Sequence, residues 1–214
     1  MDLYDPDALS VPEYPPEIEE RRKGTTFSDG ELRRAKRAYY AMVSEVDDQV
    51  GRVLAYLDEL GIAEETIVIF TSDHGEWLGE HLRYGKGYPA HDCISRTPLI
   101  ICWPEGVVSP GRTIEEIVEA IDVLPTILEC AAIPVPPHLQ GRSFLRIPED
   151  RPGEPRRSAL TEGDGWKTLR TEGFRYVAEA DGQESLFDLV KDPAGYRNVA
   201  ADSSYAQTLG MMRH

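Results

Sequence analysis

Long apolar runs, cysteines and basic residues are all scarce in this sequence, and each shortage excludes a class of protein. No apolar run approaches the roughly 18 residues that a membrane-spanning helix needs, so we expect no membrane insertion. The three cysteines, Cys93, Cys102 and Cys130, lack the spacing of a zinc site or a disulfide framework. Their low, odd number favours a reducing, cytoplasmic compartment.

Positive charge is also in deficit, because 23 lysines and arginines face 38 acidic residues, for a formal net charge of −15. Such a chain repels a polyanion, so we predict no nucleic-acid partner. A small anionic substrate stays compatible with this charge, since a local cation outweighs distant acidic groups. The amino terminus has neither the cationic start nor the apolar stretch of a secretory signal, and we expect it not to be one.

The most regular pattern that is present predicts a long helix. Apolar residues recur at intervals of three and four from Leu32 to Leu57. Ser28 and Glu31 have the spacing of a capping box, and Gly61 is suited to end a helix. The sequence therefore predicts a helix from Ser28 to about residue 60.

Apolar runs at 67–70 and 98–103 predict two buried strands. The first run is apolar throughout, which is typical of a strand that is covered on both faces in a parallel sheet. Alternating residues across 166–177, turned at 172–173, predict a β-hairpin. A further helix is predicted from Asp122, as its cap, through residue 133. The mixture indicates an α/β protein.

Two side chains with metal-binding chemistry directly follow the first predicted strand. In open α/β sheets, ligands bind beyond the carboxyl ends of the strands. Asp73 offers a carboxylate oxygen there and His74 an imidazole nitrogen, both of which bind divalent cations. Gly75 would permit a backbone conformation closed to other residues. The alternative interpretation is a simple turn with a helix cap.

A lysine and two further histidines follow this pair. Lys86 lies between two glycines, where the backbone could bring its cation close to an anionic substrate. His81 is another conceivable ligand, but the glycines around it argue against a regular helix, which favours a structural role. His91 and Asp92 are left as candidates for lining the site.

The run TSDHGEWLGEH, followed by YGKG and TPLIICWP, resembles the C-terminal half of a type I sulfatase of the alkaline phosphatase superfamily. LQGRSF and LFDLVKDP match later motifs of that family in the same order, so the resemblance covers roughly residues 28–199. It implies part of an alkaline-phosphatase-like sandwich, in which helices flank a central, mostly parallel sheet, with a small C-terminal antiparallel sheet.

The resemblance also implies a domain organisation. It predicts an extended N-terminal segment at 1–27, the C-terminal portion of the sulfatase α/β domain at 28–147, and a small α+β subdomain at 148–214. The acidic, basic and proline-rich stretch 148–155 would be the boundary between the last two. The chain is then expected to begin partway through a family domain.

Carried over position by position, the resemblance implies that Asp73 and His74 are metal ligands and that Lys86 contacts the anionic group of the substrate. The substrate would be a sulfate ester of a small molecule or a glycan. The implied cofactor is a divalent metal, with Ca²⁺ expected first. The imidazole ligand leaves Mg²⁺ and Mn²⁺ open.

The nucleophile of the family does not occur in this sequence. It is a formylglycine made from the first residue of C-x-P-x-R, and Cys102-Trp103-Pro104 is followed by Glu105 and Gly106 without the arginine. The family's upstream acidic ligands are missing too, although a hard cation takes about six oxygen-rich ligands. We therefore expect negligible activity from this chain alone.

Two other functions stay open. A phosphonate monoester or phosphodiester hydrolase of the same superfamily also has the Ser-Asp-His-Gly motif. A catalytically dead assembly domain is the other alternative, because missing strands would leave an apolar edge that favours association. The predicted partner is accordingly either another copy of the chain or a complementing N-terminal chain.

Overall fold

The computed structural model describes residues 3–104, 106, 111, 113–145 and 156–213. The chain forms two compact units, one of Met1–Gly87 with Asp92–Val107 and the other of Tyr88–His91 with Val108–His214. The boundary predicted at 148–155 lies outside the described residues. No helix in the described parts of the chain combines the length and apolarity needed to cross a bilayer.

The N-terminal segment is less extended than its prolines suggested. A 3₁₀ turn spans Pro6–Ala8 and helix α1 spans Pro16–Arg22. Proline at the first helical position is pre-organised for a helix, and acidic residues at the start and basic residues at the end complement the helix dipole. These local signals favour α1 over an extended coil.

Helix α2, Asp29–Glu59, confirms the predicted long helix. The Ser28 hydroxyl accepts a hydrogen bond from the backbone nitrogen of Glu31 at 3.4 Å, and Gly61 follows the helix with a φ of 69°. Leu32, in the first turns, is fully buried, and the other residues of α2 are all at least partly exposed. Most of the length of α2 is therefore only partly covered.

Strand β1, Val68–Thr71, pairs with strand β2, Leu99–Cys102, in a two-stranded sheet, and the short helix α3, Asp92–Ser95, precedes β2. The two strands are antiparallel, which differs from the parallel arrangement expected for β1. The physical reason is that an apolar run indicates burial and carries no information on strand direction. Burial is also incomplete, because Phe70 and Ile100 are exposed in this chain.

In the second unit, helix α4 spans Val123–Cys130 and Asp122 occupies its N-cap position. The Asp122 side chain does not bond to α4 as a cap would. Its buried carboxylate accepts hydrogen bonds from the backbone nitrogen of Glu119 at 2.9 Å and from Nη2 of Arg156 at 2.7 Å. The ion pair with Arg156 ties the start of α4 to the chain that leads into the C-terminal sheet.

The C-terminal sheet is antiparallel and follows chain order, which confirms the small antiparallel sheet and its hairpin. Its strands are β3 (Ser158–Gly163), β4 (Trp166–Thr171), β5 (Phe174–Glu179) and β6 (Glu184–Asp188), and helix α5 (Ala206–Met212) follows. Apolar residues from the sheet, α5 and the segment between them form one buried cluster. Its members are Tyr176, Leu186, Val199, Leu209 and Met212.

Glu184 forms an ion pair with Arg213 and a hydrogen bond with Tyr176 of this cluster. We expect this ion pair to make the stability of the chain depend on pH. Hydrogen bonds from Arg213 and then Tyr176 lower the pKa of Glu184 from 4.5 to about 2. Because the folded pKa is below the unfolded value, the stabilisation is complete above about pH 4.5 and is lost as the pH falls towards 2.

We therefore expect Glu184→Gln to lower the melting temperature at pH 7 by about 2–4 °C. The difference from the unmodified chain should narrow as the pH falls below 4.5. Thermal unfolding by circular dichroism from pH 7 to pH 2 measures this. Glu172→Gln, at the exposed hairpin turn, is the control. A difference in melting temperature that does not change with pH would show that the Glu184 carboxylate is not the source of the stabilisation.

Candidate metal and anion site

The chain turns sharply after β1 and presents Asp73 and His74 at the end of the strand. The Ser72 hydroxyl donates a hydrogen bond to the carbonyl of His74 at 2.9 Å. Oδ1 of Asp73 accepts one from the backbone nitrogen of His74, also at 2.9 Å. These local bonds fix the turn while the Asp73 side chain stays 84% exposed and that of His74 35% exposed.

The donor atoms of the two side chains converge. Oδ2 of Asp73 lies 3.6 Å from Nε2 of His74. Two ligand atoms that each lie about 2.1 Å from a shared cation are separated by about 3.0–3.6 Å when the angle between them is about 90–120°. The observed separation therefore fits a pair that binds one cation.

The second ring nitrogen of His74 is fixed by the backbone. Nδ1 lies 2.7 Å from the carbonyl oxygen of Gly75. A carbonyl oxygen can only accept a hydrogen bond, so in the neutral ring Nδ1 carries the hydrogen and Nε2 has the lone pair. Metal-binding histidines usually have this arrangement, because the outer hydrogen bond sets both the tautomer and the ring orientation.

Gly75 is needed here for a different reason from the one predicted. Its φ is not in the left-handed region. Its nitrogen instead donates to the carbonyl of Ile94 at 2.7 Å, and a Cβ on Gly75 would lie 2.0 Å from the carbonyl oxygen of Cys93. The close approach of two backbone segments thus holds the residue that follows His74.

The loop that leads to Lys86 is closed by Glu76, whose role the sequence did not reveal. Oε1 of Glu76 accepts hydrogen bonds from the backbone nitrogens of Gly85 at 2.5 Å and Leu78 at 3.3 Å. The nitrogen of the buried Trp77 donates to the carbonyl of Gly85 at 3.0 Å. Lys86 is exposed directly beyond this closure. The only signal in the sequence was a carboxylate beside the Asp-His-Gly turn.

The remaining candidates lie in other surroundings. The ring of His81 is 5.7 Å from that of Trp77, in an edge-on contact. His91 is buried in the second unit, 6.0 Å from the ring of Phe187, while Asp92 belongs to the first unit. Among the described residues, no group of three or more His, Cys, Asp or Glu side chains could hold a metal.

Family models match both halves of the chain. The model described as Sulfatase matches residues 10–133, which is more than half of the sequence. The model described as the C-terminal part of N-sulphoglucosamine sulphohydrolase matches residues 79–214. Together these matches cover almost the whole chain.

Three similar curated proteins are much longer than this chain. It is 36% identical to the multifunctional alkaline phosphatase superfamily protein PehA of Trinickia caryophylli, over 86% of this chain and 40% of PehA. It is 31% identical to an arylsulfatase of Clostridium perfringens, over 85% of this chain and 39% of that protein. Arylsulfatase K of Bos taurus is also 31% identical, over 91% of this chain and 40% of that protein. The chain thus spans about 40% of the length of these relatives.

Solved structures share the fold. The phosphonate monoester hydrolase of Agrobacterium radiobacter superposes with a TM-score of 0.81 at 31% identity, over 89% of this chain and 42% of that one. The phosphonate monoester hydrolase of Silicibacter pomeroyi superposes with a TM-score of 0.83 at 27% identity, over 99% of this chain and 50% of that one. The two units therefore form part of the α/β architecture of these hydrolases. This chain belongs to the type I sulfatase family of the alkaline phosphatase superfamily.

Proposed function

We propose that this chain supplies the metal-binding and anion-binding part of the active site of a metal-dependent sulfuric ester hydrolase. The observation that carries the proposal is the 3.6 Å separation of Oδ2 of Asp73 and Nε2 of His74. The hydrogen bond from Nδ1 of His74 to a carbonyl oxygen supports it, because that bond leaves Nε2 free to bind a cation.

Each residue of the proposed site has a distinct task. Asp73 and His74 would hold a divalent cation, which when bound offsets negative charge on the ester oxygens. Ca²⁺ is expected from the family resemblance, while the imidazole nitrogen leaves Mg²⁺ and Mn²⁺ open. Lys86 would bind a non-bridging oxygen of the sulfate, and the closure by Glu76 would hold the lysine in place.

The remaining parts of the active site would come from residues outside this sequence. C-x-P-x-R does not occur in it, and two donors do not complete the shell of a hard cation. We therefore propose that the chain alone has negligible activity. The substrate would be a sulfate ester of a small molecule or a glycan.

Phosphonate monoester or phosphodiester hydrolysis is a second candidate. Phosphonate monoester hydrolases stand among the similar structures, at TM-scores of 0.81 and 0.83. Sulfate monoesters, phosphonate monoesters and phosphodiesters all present a tetrahedral group with a single negative charge. A site built from one bound cation and Lys86 serves all three, so the similarity supports this candidate without excluding the first.

A fusion tests the proposal directly. The portion of PehA that this chain does not match would be joined to this chain in the order of the family. Hydrolysis of nitrophenyl sulfate, nitrophenyl phenylphosphonate and bis(nitrophenyl) phosphate would be measured with and without a chelator. We expect chelator-sensitive hydrolysis with the sulfate turned over fastest. Faster phosphonate or phosphodiester turnover would favour the second candidate, and a folded fusion without turnover would favour an assembly domain.

Lys86→Ala in this fusion should lower kcat/KM by about 10²–10³-fold, because it removes a positive charge beside the reacting anion. Lys86→Arg keeps the charge and should retain more activity. Lys167→Ala, on β4 and paired with Glu162, is the matched control and should change kcat/KM little. Equal losses for Lys86→Ala and Lys167→Ala would contradict a specific role for Lys86.

A further inference from the structure

The first unit presents an apolar surface on α2 and β1, and we propose that it docks the N-terminal portion of a sulfatase-type fold. We call this surface the α2–β1 face. The proposed docking is inferred from the family membership and the exposed side chains, and it does not depend on the metal site.

The apolar stripe of α2 is the first observation. Six of its apolar side chains are between 40% and 60% exposed, namely Met42, Val43, Val46, Val53, Leu54 and Tyr56. An amphipathic helix of a globular protein buries such a stripe against its core. Over the described residues, α2 buries only Leu32 completely, so its central turns lack the cover that their sequence predicts.

A groove lies between α2 and β1. It has a volume of about 500 Å³ and is lined by Met42, Val46, Val50, Val53 and Leu54 from the helix and by Val68, Ile69 and Phe70 from the strand. Two polar side chains of α2, Glu45 and Gln49, complete the lining. The lining is almost entirely apolar, so side chains of another polypeptide would gain stability by filling it.

The sheet beside the groove is incomplete. In the described part of the chain β1 pairs only with β2, so each strand has an outer edge with unpaired backbone groups. An isolated two-stranded sheet is marginally stable, and exposed apolar edges favour the addition of strands. Ile100 of β2 is 61% exposed, which extends the apolar surface over the sheet.

The share of the family fold that this chain spans points to the occupant. The chain spans 40% of PehA and 42–50% of the two phosphonate hydrolase structures, although it superposes on those structures with TM-scores above 0.8. Roughly half of the shared fold therefore lies outside these residues. An N-terminal portion of that fold would supply both the apolar cover and the additional strands.

Charge argues against a second copy as the occupant. The chain has a net charge of −15, and α2 carries Glu45, Asp47 and Asp48 next to its apolar stripe. Two copies docked through this face would bring these like charges together, which costs free energy. A different polypeptide does not have this restriction.

Sedimentation velocity tests the docking. The chain would be mixed with the portion of PehA that it does not match, without added metal or substrate. We expect a 1:1 complex. Val46→Glu/Val53→Glu should weaken it by at least about 100-fold, because two charges would enter an apolar contact. Val190→Glu, at a site that is 77% exposed in the second unit, should not weaken it.

The melting temperature of the same variant shows whether a weaker complex results from unfolding of the chain. Val46 and Val53 are 54% and 60% exposed, and glutamate is the better helix former. Val46→Glu/Val53→Glu should therefore leave the melting temperature of the isolated chain unchanged or slightly higher. A large drop in melting temperature would show that the face belongs to the chain's own core, which would overturn the proposal.

Hydrogen exchange in the PehA fusion described above gives a second measurement that needs no free partner. Residues 42–57 should exchange at least about tenfold more slowly in the fusion than in the isolated chain, since docking covers them. Unchanged exchange there would overturn the proposal. So would a mixed complex that tolerates Val46→Glu/Val53→Glu, or a self-associated chain that this variant makes monomeric. Neither measurement reads hydrolysis, so failure of the docking and failure of the proposed function are distinguishable.

Discussion

Asp73→Ala is expected to reduce hydrolysis by the PehA fusion at least about 10³-fold and to weaken cation binding by this chain at least tenfold. Asp73 supplies one of two donor atoms that lie 3.6 Å apart, and it supplies the only negative charge of that pair. Without it, the imidazole of His74 remains as a single neutral ligand, which does not hold a hard cation.

Isothermal titration of the isolated chain with Mn²⁺ measures the binding part of this prediction. Asp164→Ala is the matched control, since Asp164 is an exposed aspartate in the turn between β3 and β4. Both variants remove one negative charge, so the general electrostatic attraction changes equally. If the two variants bind Mn²⁺ equally well, Asp73 is not a ligand.

Gly75→Ala is expected to destabilise the chain by about 1–3 kcal/mol, because an added methyl group would overlap a packed backbone. The new Cβ would lie 2.0 Å from the carbonyl oxygen of Cys93, and neither backbone can yield as a flexible side chain would. The hydrogen bond from Gly75 to Ile94 would lengthen, and the carbonyl that fixes the ring of His74 would shift with it. Cation binding should therefore weaken together with stability.

Urea unfolding and Mn²⁺ titration of Gly75→Ala test both consequences. Gly51→Ala is the control, because Gly51 lies within α2 and a Cβ there meets nothing within 4 Å. That variant should raise stability by up to about 1 kcal/mol through helix propensity and leave Mn²⁺ binding unchanged. A Gly75→Ala variant as stable as the unmodified chain would show that the close approach is not required.

Elements governed by local rules could be predicted from the sequence. Residues close together in the sequence determine the period of α2, its Ser28 cap and its end at Gly61. The same holds for the hairpin of β4 and β5. The direction of β1 relative to β2 could not be predicted, because pairing joins residues about 30 positions apart and an apolar run fits either direction. The exposure of α2 could not be predicted either, because apolar periodicity shows which residues share a face and carries no information on what covers that face.

The candidate site was predictable in part for a similar reason. Asp73 and His74 follow a strand directly, so their place at its end could be inferred, and the motif around them carries the family resemblance. The need for glycine at position 75 comes from Cys93, and the closure by Glu76 comes from Gly85. Neither contact leaves a periodic signal in the sequence.

Paramagnetic broadening of histidine resonances would show whether Asp73 and His74 bind the same cation. Mn²⁺ would be added to the isolated chain while the ring protons of its five histidines are followed by NMR. Shared binding of one cation predicts that the ring protons of His74 broaden at a lower Mn²⁺ concentration than those of the other histidines, and that Asp73→Ala removes this difference. Equal broadening of all histidines, or broadening of His74 that persists in Asp73→Ala, would contradict it.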